Sequence, residues 1–176
     1  MSARHEFRKL FKSPGPAVLP VIHVRDQAQT EENVRALLGE GAPGCFLINH
    51  DFEAARLTPI VEAVRARWPA LWLGVNFLAT TGRDAFPTLG ALARAGCAVD
   101  AYWADDARID ERAERQAEAE EIAEARAASG WGGLYFGGVA FKKQRPVAEA
   151  DLPAAAREAA GRMDVVTTSG VATRAA

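Results

Sequence analysis

Cys45-Phe46-Leu47-Ile48-Asn49-His50-Asp51 decides the reading of this chain. Four apolar residues run without alternation, and three hydrogen-bonding side chains then arrive together. Pro43-Gly44 stands in front of the run as a turn signal. An unbroken apolar run of this length predicts a strand buried on both faces, with Asn49, His50 and Asp51 at its outgoing end. The same pattern recurs. Val18 to Ile22 ends in His23, Leu71 to Val75 in Asn76, and Val99 to Trp103 in Asp105-Asp106. Leu134 to Val139 leads into Lys142-Lys143, and Asp164-Val165-Val166 ends in Thr167-Thr168-Ser169.

Helical patterns separate these strands. Thr30 is placed to cap a helix whose inner face is Val34, Leu37 and Leu38. Leu57, Ile60, Val61, Val64 and Trp68 form a single helical stripe that Pro69 stops. Asp84 to Arg94 and Glu111 to Ala128 follow, the latter with Glu111 and Arg115 spaced to pair and a thin inner stripe of Ala119, Ile122 and Ala123. A last helix is capped by Asp151. Arg4 to Lys12 reads as a short leading helix with Phe7, Leu10 and Phe11 on one face. Ser13-Pro14-Gly15-Pro16 is a stiff connector, so residues 1–17 form a helix and linker ahead of a single domain within 1–176.

Alternating strands and helices demand a parallel sheet, either doubly wound or barrel-like. The barrel is favoured. Every strand ends in polar residues, the end at which barrel enzymes place their sites. No Gly-x-Gly-x-x-Gly follows the first strand, so the dinucleotide fingerprint is missing and no cofactor is named by the sequence. A complete barrel needs about 250 residues and eight units. The expectation is therefore a TIM-like (β/α) barrel truncated to six β-α units, its first and sixth strands left as apolar edges. Such edges invite association of copies of the chain or lower stability.

The 176 residues are 49% apolar and 25% charged, ordinary values for a globular domain. The net charge of −2, from 21 basic and 23 acidic residues, argues against a nucleic-acid partner. Cys45 and Cys97 read as buried reduced thiols, which fits a cytoplasmic protein. No apolar run reaches the roughly 20 residues of a membrane span, and residues 1–17 show no signal-peptide core.

The polar strand ends are the candidate site for a small-molecule ligand. His23, Asp105 and Asp106 are the candidate acid–base groups. Asn49, Asp51, Asn76, Thr167 and Ser169 are candidate ligand contacts, with Asp51 as a helix cap and Asn76 as a loop tie being the plain alternatives. Lys142, with Lys143 and Arg145, is a candidate anion-binding or Schiff-base group, or simply part of a solvated loop. Asp105 and Asp106 could join His23 and Asp51 around a divalent cation. No His-x-x-x-His, Glu-x-x-His or Cys-x-x-Cys spacing supports a transition-metal site, so no metal is assigned.

Several of these stretches resemble the BtpA family of TIM-barrel proteins, named for a photosystem I biogenesis factor. They are Pro20-Val21-Ile22-His23, Gly41 with Gly44, Asn49 and Asp51, Leu73-Gly74-Val75-Asn76, and Asp164 to Gly170 with Thr173. The resemblance covers residues 18–173. It implies a TIM-barrel fold, and members tied either to photosystem assembly or to sugar and nucleobase metabolism. Thr173-Arg174 stands where the family pattern usually reads Thr-Gly, and the family continues for two further β-α units. The resemblance thus implies either an enzyme on a sugar, nucleobase or nucleoside derivative (a lyase, isomerase or transferase), or a non-catalytic assembly factor.

Overall fold

A computed structural model describes residues 9–11, 16–142 and 144–169. Strands and helices alternate: β1 (Val21–Val24), α1 (Gln27–Gly39), β2 (Gly44–Asn49), α2 (Ala54–Arg67), β3 (Trp72–Asn76), α3 (Gly82–Arg94), β4 (Ala101–Ala104), α4 (Ala117–Ser129), β5 (Leu134–Gly138), α5 (Leu152–Ala160) and β6 (Val165–Thr167). The six strands form one sheet in the order β1-β2-β3-β4-β5-β6, every neighbouring pair parallel. Strand order follows chain order without a reversal. A doubly wound sheet needs a reversal at its switch point, so the fold is the singly wound, partial TIM-like arrangement.

Strand alternation sorts the side chains onto two faces. On one face Ile22, Val24, Cys45, Leu47, Leu73, Val75, Tyr102 and Tyr135 share a single buried cluster with residues of all five helices. The helix contributions sit at helical spacing: Val34 and Leu37 on α1, Leu57, Val61 and Val64 on α2, Phe86 and Leu89 on α3, Ile122 on α4, Ala155 and Ala159 on α5. Each fully buried Leu or Phe contributes about 1.5–3 kcal/mol relative to exposure, so this layer holds most of the stability. Cys45 lies inside it, and burial pushes its thiol up to about 12, which keeps it protonated and inert at neutral pH. Cys97 is only half-buried, because it falls in the loop after α3 and not in a strand.

The opposite, inner face carries its own smaller cluster of Phe46, Trp72, Ala101 and Phe136. Phe46 is its hub, edge-on to Trp72, Phe136 and Trp103 at centroid distances of 5.4, 5.3 and 5.9 Å. Gly74 makes room for it, since a Cβ there would run into the Phe46 ring. Phe11 from the leading segment packs edge-on to Trp72 at 5.1 Å, at the incoming end of this face. Phe7 and the rest of that expected helix face, apart from Leu10 and Phe11, lie outside the described residues.

Among the described residues β1 and β6 each pair with one strand only, so the sheet has two free edges. Val21 is 39% and Val166 38% exposed along them. No helix among the described residues is long and apolar enough to cross a membrane.

Several local expectations need correction. Asp26, not Thr30, caps α1: its carboxylate accepts the Gln29 N–H at 2.8 Å, while Thr30 sits one turn inside with its hydroxyl donated to the Asp26 carbonyl. The helix expected from Glu111 begins only at Ala117. Gln116 explains the delay, because its side chain folds back to accept from Asp110 N and donate to Asp110 O, which holds residues 110–116 as a loop. Glu111 and Arg115 consequently do not pair, and Arg115 reaches Glu120 instead. Asp151 sits at the start of α5 without a capping bond and pairs with Arg112.

Candidate functional site

Because all strands are parallel, their six outgoing ends lie along one rim of the sheet. Register then decides which polar residues share the inner face. Val21 pairs with Phe46, His23 with Ile48, and Ile48 with Asn76. His23 and Asn76 therefore stand in one row on the inner face, two strands apart, or roughly 10 Å at the usual strand spacing. Extending the Gly74–Ala101 pairing by two residues puts Trp103 beside Asn76. Asp105 follows two residues after Trp103 and returns to the same face.

Asn76 and Asp105 meet directly: Asn76 Nδ2 donates to Asp105 Oδ1 at 2.9 Å. That bond fixes the amide orientation, since the reverse would oppose two acceptors. Asn76 is 0% exposed, and its Oδ1 has no partner among the described residues. Trp103 Nε1 and Thr167 Oγ1 on the inner face, and Gln144 Nε2 in the loop after β5, are likewise buried without a partner. Among the described residues Tyr135 Oη is the one such atom on the helix face, and burial raises its pKa. Leaving a buried polar atom unpaired costs about 1–3 kcal/mol, so each such atom in a native structure calls for an explanation.

Asn49 points to the other face and is used up locally. Its Nδ2 donates to Phe52 O at 2.6 Å and its Oδ1 accepts from Leu78 N at 3.1 Å, which ties together the loops after β2 and β3. His50 turns toward the inner face and stacks on His23, centroid to centroid at 4.5 Å. Both histidines are exposed. With Asp51, also exposed, they line a groove of about 670 Å³ that includes Gln29, Asn33 and Glu40. This groove takes residues from both faces of β1, so it straddles the free edge and does not open from the inner face. Asp51 does not cap α2, whose first position follows Glu53.

The loops beyond β4 and β5 are tied to one another. Arg145 forks onto Glu111 at 3.1 and 2.5 Å and also reaches Asp110 at 3.3 Å. The Arg145 hydrogen bond holds the Glu111 carboxyl below its ordinary range. Arg145 is thereby committed to carboxylates and is not the anion-binding group its sequence position suggested. Asp106 accepts from Arg108 N at 2.8 Å and pairs with the Arg108 guanidinium at 3.5 Å, so it shapes the loop. Ser169 Oγ accepts the Lys142 backbone N–H at 3.1 Å and joins the end of β6 to the loop after β5. The Lys142 side chain is exposed; Lys143, Gly170, Thr173 and Arg174 lie outside the described residues. Gly138 lets the outgoing end of β4 fold onto β5, because a Cβ there would meet the Asp105 carbonyl. Among the described residues no group of three or more His, Cys, Asp and Glu side chains is arranged to hold a metal ion.

The structure thus brings Asn76 and Asp105 into contact, keeps His23 on their face, and turns Asn49 away. Trp103 and Gln144 were not singled out from the sequence. Trp103 was accessible from period-two alternation back from Asp105. Gln144 was hidden between Lys143 and Arg145, where the basic character dominated the reading.

No protein-family model and no curated protein matches this chain. Among solved structures it is similar to a mandelate racemase/muconate lactonizing protein from Herpetosiphon aurantiacus, with 14% sequence identity and a TM-score of 0.46. That match covers 86% of this chain and 54% of the other, so the chain spans about half the length of the structure it resembles.

Proposed function

We propose that this protein binds a small polar metabolite at the outgoing rim of its strands and acts on it as a barrel-type enzyme. The observation that carries the reading is Asn76: wholly buried, donating to Asp105, and holding its carbonyl oxygen unpaired on the inner face. A ligand that donates to that oxygen removes the penalty. Asp105 keeps Oδ2 for proton transfer while Asn76 holds Oδ1, so Asp105 is the acid–base group and Asn76 orients the substrate. His23, in the same row, is the second acid–base candidate. The resemblance to the BtpA family, with members near sugar and nucleobase metabolism, supports the same ligand class. An assembly factor has no need of unpaired acceptors at a strand rim.

A thermal-shift panel of nucleosides, free sugars, sugar phosphates and divalent cations tests the proposal. A bound ligand raises the midpoint by mass action. At least one class should shift the wild-type protein and fail to shift Asp105→Ala. If no class does so, the reading falls. The free edges of β1 and β6 support a further reading, that copies associate there. A monomer by light scattering at high concentration would remove it.

A further inference from the structure

The free edge of β1 is shaped to receive another strand, and its spacing says which one. Phe46 N donates to the Pro20 carbonyl at 2.9 Å, and Phe46 stands opposite Val21 in the ladder. Alternate residues of a strand bond to the same side, so Ile22 and Val24 also turn their backbone groups toward β2. Val21 and His23 turn theirs, N–H and C=O alike, to the side where β1 has no neighbour among the described residues. The free run ends at Arg25, whose N–H is taken by Gln29 Oε1 at 3.1 Å. The groove of about 670 Å³ follows this edge: Pro20 to Arg25 line it in unbroken succession, with Gln29, Asn33, Ala36 and Leu37 of α1 as its outer wall. Natural edges are commonly guarded by a lysine, a proline or a bulge. From Val21 to Val24 there is none, and Val18 and Val21 are 74% and 39% exposed beside it. The β6 edge is a poorer occupant. It is three residues long, and a contact of β1 with β6 is heterologous, so it must close a ring or grow on.

We propose that β1 pairs antiparallel with β1 of a second copy of this chain, about a two-fold axis at Ile22. This rests on the edge-association reading above and goes beyond it in naming the edge, the direction and the register. Val21 of each copy then stands opposite His23 of the other, and each such pair exchanges both of its N–H···O=C bonds. The two residues that turn outward are thus the two that this register uses. Ile22 faces its own counterpart on the helix side. No like charges are set opposite one another, since His23 lies against a valine and Arg25 falls opposite Leu19. The axis runs normal to the sheet, so the inner faces of both copies look the same way. Val21 of the second copy then joins the β1 end of the rim, beside His23 and the His50 ring stacked on it at 4.5 Å.

The experiment is sedimentation equilibrium of the full chain, joined to cysteine cross-linking. Wild type should have the mass of a dimer. Val21→Pro removes an outward N–H and leaves the ladder to β2 intact, so it should be a monomer with wild-type circular dichroism. Val166→Lys, on the β6 edge, should remain a dimer. Cross-linking reads the register without relying on the proline variant to fold. Facing residues of a bonded antiparallel pair have Cα atoms about 5.5 Å apart, within reach of a disulfide. In a Cys97→Ser background, Val21→Cys mixed with His23→Cys should give a covalent dimer on mild oxidation, and neither variant alone should. A covalent dimer from Val21→Cys alone moves the axis to Val21 and overturns the register. No cross-link from the mixture, or a dimer lost in Val166→Lys and kept in Val21→Pro, overturns the β1 pairing while association at an edge stands. A monomeric wild type overturns both.

Discussion

At the incoming ends of the strands, two arginines are locked into the backbone; at the outgoing ends, buried polar atoms wait without partners. On α2, Arg65 donates to Ala98 O, Pro69 O and Leu71 O and pairs with Asp100 at 2.6 Å, with its side chain only 12% exposed. The same Asp100 oxygen accepts the Leu73 N–H at 2.8 Å, and Asp100 N donates to Leu73 O. The arrangement repeats two units later. Arg126 on α4 pairs with Asp164 at 2.6 Å and donates to Gly133 O, while the Asp164 oxygen accepts Tyr135 N and Asp164 N donates to Tyr135 O. An aspartate just ahead of β4, and another just ahead of β6, thus clasps the preceding strand and the helix that leads into it.

Backbone conformation divides the same way. At the incoming end the residues with positive φ are Gly41, Gly96 and Gly130, which adopt it without penalty. At the outgoing end they are Ala79, Arg108 and Ala140, in the loops after β3, β4 and β5, where a Cβ makes the conformation strained. Strain and unpaired groups collect where a site is shaped, and satisfied bonds collect where the fold is held.

The largest expected effect is at the first clasp. Arg65→Ala removes a largely buried guanidinium that three carbonyls and Asp100 share and should cost about 3 kcal/mol in denaturant unfolding, with ligand response retained. Arg126→Ala removes the more exposed copy, 26% exposed, and should cost about 2 kcal/mol. Equal and negligible losses at both would erase the distinction between the ends. Gly138→Ala should act on the other end, pushing Asp105 off the end of β5. A cost of about 1–3 kcal/mol is expected, together with loss of the ligand-induced shift. Retention of that shift would separate Asp105 from the site. The smallest effect is Ala140→Gly, which relieves a left-handed alanine and should raise stability by less than about 1 kcal/mol. A drop in the melting midpoint would show that the loop conformation is not strained.

The sheet was legible in the sequence because buried parallel strands announce themselves as unbroken apolar runs, and the helices as stripes. The clasps were not. Asp100 and Asp164 read as ordinary strand residues, since their partners Arg65 and Arg126 lie some 35 and 38 positions away in the chain. At the rim, only the register between strands could say whether Asn49 or His50 shared a face with His23. Arg145 illustrates the opposite error. Its basic neighbours suggested a free cation, and Glu111, 34 positions earlier, takes it.

The melting midpoint of Asn76→Leu without ligand, set beside its response to a binding ligand, tests the division between the two ends most directly. The substitution removes an unpaired buried acceptor, and the solvent-accessible Asp105 can bond to water instead. An unchanged or higher midpoint, with the ligand-induced shift abolished, is the result predicted. A fall as large as that of Arg65→Ala, with the ligand shift intact, would contradict the account and make Asn76 part of the fold's support.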